Sequence, residues 1–298
     1  MNQMRTAVII PTAGRERLLC RCLDSLLAMT ALPGEVFVVF QGAERPQLAD
    51  AIQQRYPAVT VGCTPRRGAA AARNAGAVWA GADLLAFVDD DCKVHPAWLQ
   101  CYLDHFVDDP KLAAAGGSVV PASSQADAIS VGLQLASQPR LFERVRNPVG
   151  TIDRSGNLCV RATVFWELGG FDEGLGAGTA FPSAEDTDFV YRALRRGLRL
   201  RYVPEAVVYH EQWRSRDEVA RLEQGYGFGL GAFLITHVRH GDMYAAGLVP
   251  RIAWHLGLRP MITGLLQRRW ERFASGWRYL HRLPWGPSRS ISIQPGDQ

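Results

Sequence analysis

Four short runs of β-branched and other apolar residues recur in the first 120 residues, and a segment of helical character follows each. The first is Ala7-Val8-Ile9-Ile10, in a strand-like stretch from Thr6 that Pro11-Thr12-Ala13-Gly14 breaks. Apolar residues at 18, 19, 22, 23, 26 and 27 then recur at helical period and form one face. Pro33-Gly34 closes that unit. The second run, Glu35–Phe40, ends in Gln41-Gly42 and leads into a polar helix over Arg45–Arg55. The third, Val59–Cys63, precedes an alanine-rich helix over Gly68–Trp79. The fourth, Leu84–Val88, ends in Asp89-Asp90-Asp91, and Pro96 marks the first position of another helix. This alternation of strand and helix predicts an open α/β fold. Its Rossmann-like, mostly parallel sheet is flanked by helices on both faces. Ligands of such sheets bind at the carboxyl ends of the strands.

Beyond this unit the pattern loosens. Leu112–Val120 reads as a strand and Ala122–Gly150 as a mobile or acceptor-facing loop. Asn157–Arg161 reads as a strand, Thr163–Leu168 as a short helix ended by Gly169-Gly170, and Glu185–Arg196 as a helix. Leu198–Val203 and Ala206–Tyr209 read as two short strands. From residue 215 the chain is expected to be helical to about Leu283, with a frayed end from Pro284 to Gln298. The predicted division is a catalytic domain over 1–214 and a helical C-terminal appendage over 215–298. With 47% apolar and 21% charged residues, a chain of 298 residues can bury a sizeable core. A net charge of +4 gives no electrostatic reason to expect a nucleic-acid partner. The six cysteines lack zinc-like spacing and read as small buried hydrophobes in a reducing cytoplasm. Neither a leader peptide nor a run of about 20 apolar residues is evident, so the expected location is cytoplasmic.

Four sites carry chemistry. Asp89-Asp90-Asp91 places three mutually repelling carboxylates at the sheet's carboxyl edge, where a hard cation would relieve them; an acidic turn open to water is the alternative. Gly68 through Gly76 offers small residues at a helix start, with Arg73 as a guanidinium able to fork onto phosphate. A plain alanine-rich helix is the competing reading. Glu185-Asp186 opens a helix; it either satisfies the helix dipole or sets a general base against a hydroxyl. His210 closes a strand downstream and is either a packed polar residue or a metal ligand.

Taken in order, these segments resemble the family 2 glycosyltransferases of GT-A fold, from about residue 6 to about residue 214. The resemblance implies that Pro11 and Thr12 end the strand that contacts the nucleotide base, and that Gly68 and Arg73 lie beside the donor. It implies that Asp89-Asp90-Asp91 is the DxD motif: Asp91 holds Mn2+ or Mg2+, and Asp89 or Asp90 faces the ribose. Gly169-Gly170-Phe171-Asp172-Glu173 resembles the acceptor-side turn. Glu185-Asp186 resembles the ED pair, with Asp186 as catalytic base and Glu185 beside the acceptor. His210 resembles a further metal ligand found in some members. Gln41 departs from the pattern, since the second strand in this family usually ends in aspartates that read base and ribose. This leaves UDP-, dTDP- and GDP-linked donors all open.

The function implied is an inverting, metal-dependent transfer of a sugar from a nucleotide-diphosphate donor to a hydroxyl of a glycan or lipid-linked acceptor. A sugar nucleotidyltransferase, a non-catalytic nucleotide-sugar-binding module and a metal-dependent hydrolase are the rival classes. Phe171, Trp166 and Trp213 are candidates to stack on sugar faces, with a core role as the alternative for each. In the C-terminal region aromatics interleave with arginines, notably over Gln267–Arg272. Either the helices pack on the catalytic domain or they contact the inner face of an anionic membrane.

Overall fold

The computed structural model describes residues 4–42, 45–122, 132–152, 154–211 and 215–283. They form two compact units: residues up to Thr179 with Glu185–Ser215, and Ala180–Ala184 with Arg216 onward.

In the first unit β1 (Thr6–Thr12), β2 (Glu35–Gln41), β3 (Thr60–Thr64) and β4 (Leu84–Val88) lie parallel in the order β3-β2-β1-β4. Every residue of β1 and β4 is buried, as expected of strands covered on both faces. On one face Val8, Ile10, Val38, Ala86 and Val88 pack with α1 (Glu16–Leu27), α2 (Pro46–Arg55) and α4 (Trp98–Asp108). On the other lies α3 (Ala69–Trp79). A methyl group at Gly76 would stand 2.6 Å from Cγ2 of Ile9, so this glycine lets the helix approach the sheet. The close approach fixes where α3 starts, beside the ends of β1 and β2.

After β4 the sheet changes direction. β5 (Cys92–Val94), β6 (Leu112–Pro121), β7 (Arg140–Phe142), β8 (Asn157–Arg161) and β9 (Arg199–His210) extend it. β8 inserts antiparallel between β4 and β6, β9 runs parallel to β6, and β5 and β7 pair antiparallel with β9. Among the described residues the sheet has nine strands, with its parallel half on the β3 side. Three local expectations differ. Pro96 precedes its helix by two residues, in a turn where Trp98 N donates to the His95 carbonyl. The two short strands near the end of the unit are one strand, β9, whose pairing with β6 shifts register between Gly117 and Ser118. The segment expected to be a loop contains β7, and Gln134 bridges to Val119; residues 123–131 lie outside the described set.

Asn157, fully buried at the head of β8, fastens these pieces. Its side-chain carbonyl accepts from Trp98 Nε1 (2.7 Å) and the Tyr102 hydroxyl (2.6 Å), and its amide donates to the Ser118 and Ala206 carbonyls. One residue thus links α4, β6 and β9 to the strand beside β4. Two further helices are α5 (Ala162–Glu167) and α6 (Glu185–Arg195). Phe165 of α5 and Phe189 of α6 pack with Phe87 and Phe171 as an aromatic cluster, with centroids 5.2 to 5.7 Å apart.

The second unit holds α7 (Arg216–Arg239), α8 (Met243–Ile252), a π-helical turn (Ala253–Leu258), α9 (Arg259–Leu266) and α10 (Trp270–Arg282). Asp242 caps α8 by accepting from Tyr244 N. Among the described residues no helix is long and apolar enough to cross a membrane.

Candidate active site

Parallel pairing brings the ends of β1, β2 and β4 to one edge of the sheet, the edge expected to bind ligand. Thr12, at the end of β1, is buried, and its hydroxyl donates to Asp90 Oδ2 at 2.6 Å. Pro11, also buried, lacks an N–H to offer a ligand. Asp90 is 1% exposed and also pairs with Arg15. Burial pushes its carboxyl up, and the Arg15 charge and the Thr12 hydroxyl pull it down. Asp89 is the more open of the two, its side chain 35% exposed and paired to Arg73 at 2.6 Å.

Asp91 and His210 meet. β5 pairs antiparallel with β9 so that Cys92 lies opposite His210. His210 Nε2 stands 3.5 Å from Asp91 Oδ1, and Arg15 Nη1 lies 2.9 Å from Asp91 Oδ2. Arg15 therefore holds both Asp90 and Asp91. Its place in the loop after β1 is the signal the sequence offers. Among the described residues no three His, Cys, Asp or Glu side chains gather as a metal cluster. A carboxylate oxygen and an imidazole nitrogen converging at this spacing are donors that would fit a divalent ion.

Arg73 lies beside the acidic edge, but inside the protein. It is 2% exposed, and its two arms reach Asp89 and, at 3.1 Å, Glu185. In this arrangement the guanidinium is committed to two carboxylates. It joins the end of β4 to the start of α6. Two amides leading into α3 are also taken: Gly68 N donates to Gln41 Oε1 at 2.9 Å and Ala69 N to the Ala177 carbonyl. Gln41 thus caps α3, and Gly68, at φ +119°, leaves room for Thr179.

Glu185 and Asp186 open α6 and sit against the backbone just before β8. Ser155 N donates to Asp186 Oδ2 at 3.3 Å, and the Ser155 hydroxyl lies 3.4 Å from Glu185 Oε1. Gly156 presses on Asp89, where a methyl group would stand 2.5 Å from Oδ2. The segment 154–156 therefore joins the two acidic centres, and nothing in its sequence marks it. Glu185 is buried; desolvation and the neighbouring Asp186 charge lift its carboxyl to about 7 against the pull of Arg73. Asp186, half-buried, is also raised by burial, with Arg154 and the Thr187 and Ser155 amides opposing.

On the acceptor side the outcome is divided. Phe171 is 2% exposed inside the aromatic cluster, so it presents no ring face to a sugar. Asp172 is exposed and closes a turn by accepting from Gly174 N at 2.8 Å. Asn74 fastens that turn to α3: its amide donates to the Phe171 carbonyl and Glu173, and its carbonyl accepts from Phe171 N. Trp166 is exposed. Trp213 lies outside the described residues.

A parallel sheet half with an acidic edge, extended by antiparallel strands, is the architecture of the GT-A glycosyltransferases. The fold resembles the mannosyltransferase PcManGT from Pyrobaculum calidifontis, solved in complex with GDP-Man and Mn2+ (TM-score 0.61, 17% identity, 96% of this chain and 88% of that one). It also resembles GalNAc-T7, solved with UDP, GalNAc and Mn2+ (TM-score 0.54, 17% identity, 78% and 48%). The family model for glycosyl transferase family 2 matches residues 7–169, more than half of the sequence, and the chain belongs to that family. It is 30% identical over 245 residues to the pre-mycofactocin glycosyltransferase of Mycobacterium tuberculosis, covering 80% of this chain and 48% of that protein. It is 28% identical over 231 residues to the glucosyl-dolichyl phosphate glucuronosyltransferase of Haloferax volcanii, covering 72% of each. The chain thus spans about half the length of the mycobacterial relative.

Proposed function

We propose that this chain transfers a sugar from a nucleotide-diphosphate donor to a hydroxyl of a glycan or lipid-linked acceptor, with inversion at the anomeric carbon. The observation that carries the reading is the joining of two acidic centres, Asp89-Asp90-Asp91 and Glu185-Asp186, through Arg73 and the 154–156 segment. Family membership supports it, as do the nucleotide sugars and Mn2+ named for the structural neighbours. The name of the archaeal relative makes a lipid-linked acceptor a concrete model.

Asp91 and His210 would hold Mn2+ or Mg2+. The ion supplies charge neutralisation for the diphosphate when bound. Thr12 and Arg15 hold the acidic turn in shape, and Asp89, the more open carboxylate, would take the ribose. Asp186 removes the proton from the acceptor hydroxyl. As it does so the acceptor oxygen bonds to the anomeric carbon, and the bond from that carbon to the diphosphate oxygen breaks. Glu185 and Arg73 position Asp186 and do not touch the reacting atoms.

The test follows release of nucleoside diphosphate from UDP-, dTDP- and GDP-sugars, with and without alkyl glycosides and a glucosylated polyprenyl phosphate as acceptors. One donor turned over only when an acceptor is present supports a transferase. Equal release without an acceptor would make the protein a hydrolase. Asp186→Asn is expected to lower kcat by about 10²- to 10⁴-fold while donor binding persists, as for loss of a general base.

A further inference from the structure

We infer that one face of the C-terminal helices, centred on Trp254, Leu258, Ile262, Leu265, Leu266 and Trp270, docks on an anionic phospholipid surface. The inference deepens the lipid-linked acceptor reading but rests on these helices alone.

All six side chains are exposed, Leu266 at 77% and Trp270 at 66%. The first five recur at spacings of four, four, three and one along the π-turn and α9, which puts them on one side of the helix. Another side of the helix is spent on α10, and through glycines. Methyl groups at Gly257, Gly264 and Gly276 would collide with Leu280, with Phe273 N and with the Gly257 carbonyl respectively. Helices that pair through glycines leave their bulky apolar residues pointing away from the contact. A water-soluble surface rarely carries such a ridge without a partner.

Charge selects the partner. Residues 243–283 contain seven arginines and one glutamate, a net +6, whereas residues 1–242 carry a net −2. Arg259, Arg268, Arg269 and Arg272 are exposed beside the ridge. A face of that charge repels a second copy of itself and attracts anionic headgroups. The aliphatic residues give a nucleic acid little to stack on but give acyl chains an apolar surface to cover. Tryptophans between an apolar and a charged zone suit the headgroup level of a bilayer.

Vesicle flotation of the full chain tests this, using phosphatidylcholine with and without phosphatidylglycerol, at low and high salt. Neither donor, metal nor acceptor is needed, so the result stands apart from the transferase assay. Binding is expected at low salt on the anionic vesicles. It should fall about tenfold or more on neutral vesicles, at high salt, in Arg268→Glu/Arg269→Glu and in Leu258→Ser/Ile262→Ser/Leu266→Ser. These positions are exposed, so unchanged circular dichroism and melting are expected in both variants. Quenching of tryptophan emission by brominated lipids should weaken in Trp254→Phe/Trp270→Phe. The inference is overturned if the chain does not float, or floats equally well in the serine variant. It is also overturned if light scattering finds a dimer that the serine variant dissolves, since a second copy would then cover the face.

Discussion

A lysine at position 73 would keep the charge but lose the fork. Arg73 spans Asp89 and Glu185 with separate nitrogens, and a single ammonium cannot hold both in that geometry. Arg73→Lys is therefore expected to lower kcat about tenfold or more, to raise donor KM through the loosened Asp89, and to displace the acidic limb of the pH–rate profile. Arg73→Gln strands two carboxylates and should cost about 3–5 kcal/mol, read as a fall in Tm. Glu185 gives a prediction of opposite sign. Its folded-state carboxyl titrates near 7, above the usual 4.5. Its contribution to stability is thus complete below about 4.5 and is lost as pH rises through 7. Glu185→Gln removes that titration, so the variant's Tm should decline less than the wild type's between mildly acidic and mildly alkaline pH. Equal declines would mean that Glu185 does not titrate in this range.

Among the elements, β8 repays attention because it turns a parallel sheet into a mixed one and rests on Asn157. Asn157→Ala leaves the Trp98 N–H, the Tyr102 hydroxyl and two carbonyls without their buried partner. A loss of about 2–4 kcal/mol is expected in urea unfolding; a change under half that would mean that water replaces the amide without strain. The parallel half was legible in the sequence because the cores of β1, β2 and β4 are unbroken apolar runs and a helical segment follows each strand. The carboxylates were legible because the strand before them is unmistakable. What escaped depends on long-range contact. The burial of Arg73 requires knowing that Asp89 and Glu185, 16 and 112 residues downstream, both reach it. Gln41 as the cap of α3 requires the sheet register. The collection of Phe171 into the core requires Phe87, Phe165 and Phe189 around it. β5 and β7, three residues each, are too short to show a period. Arg15 was visible but unread, because its partners lie 75 and 76 residues downstream.

At the scale of the whole molecule, the division of labour is chemical. Both acidic centres lie in the first unit, and the net positive charge lies in the second. The central claim concerns the first: a nucleotide sugar binds at the acidic edge with a divalent ion held by Asp91 and His210. Calorimetric titration of UDP-, dTDP- and GDP-sugars, with and without Mn2+, on wild type and Asp91→Ala tests it most directly. The account predicts that one donor binds, that Mn2+ strengthens its binding, and that Asp91→Ala abolishes the Mn2+ effect. Binding indifferent to both Mn2+ and Asp91, or no binding of any donor, would contradict it and leave a fold that kept its carboxylates without their chemistry.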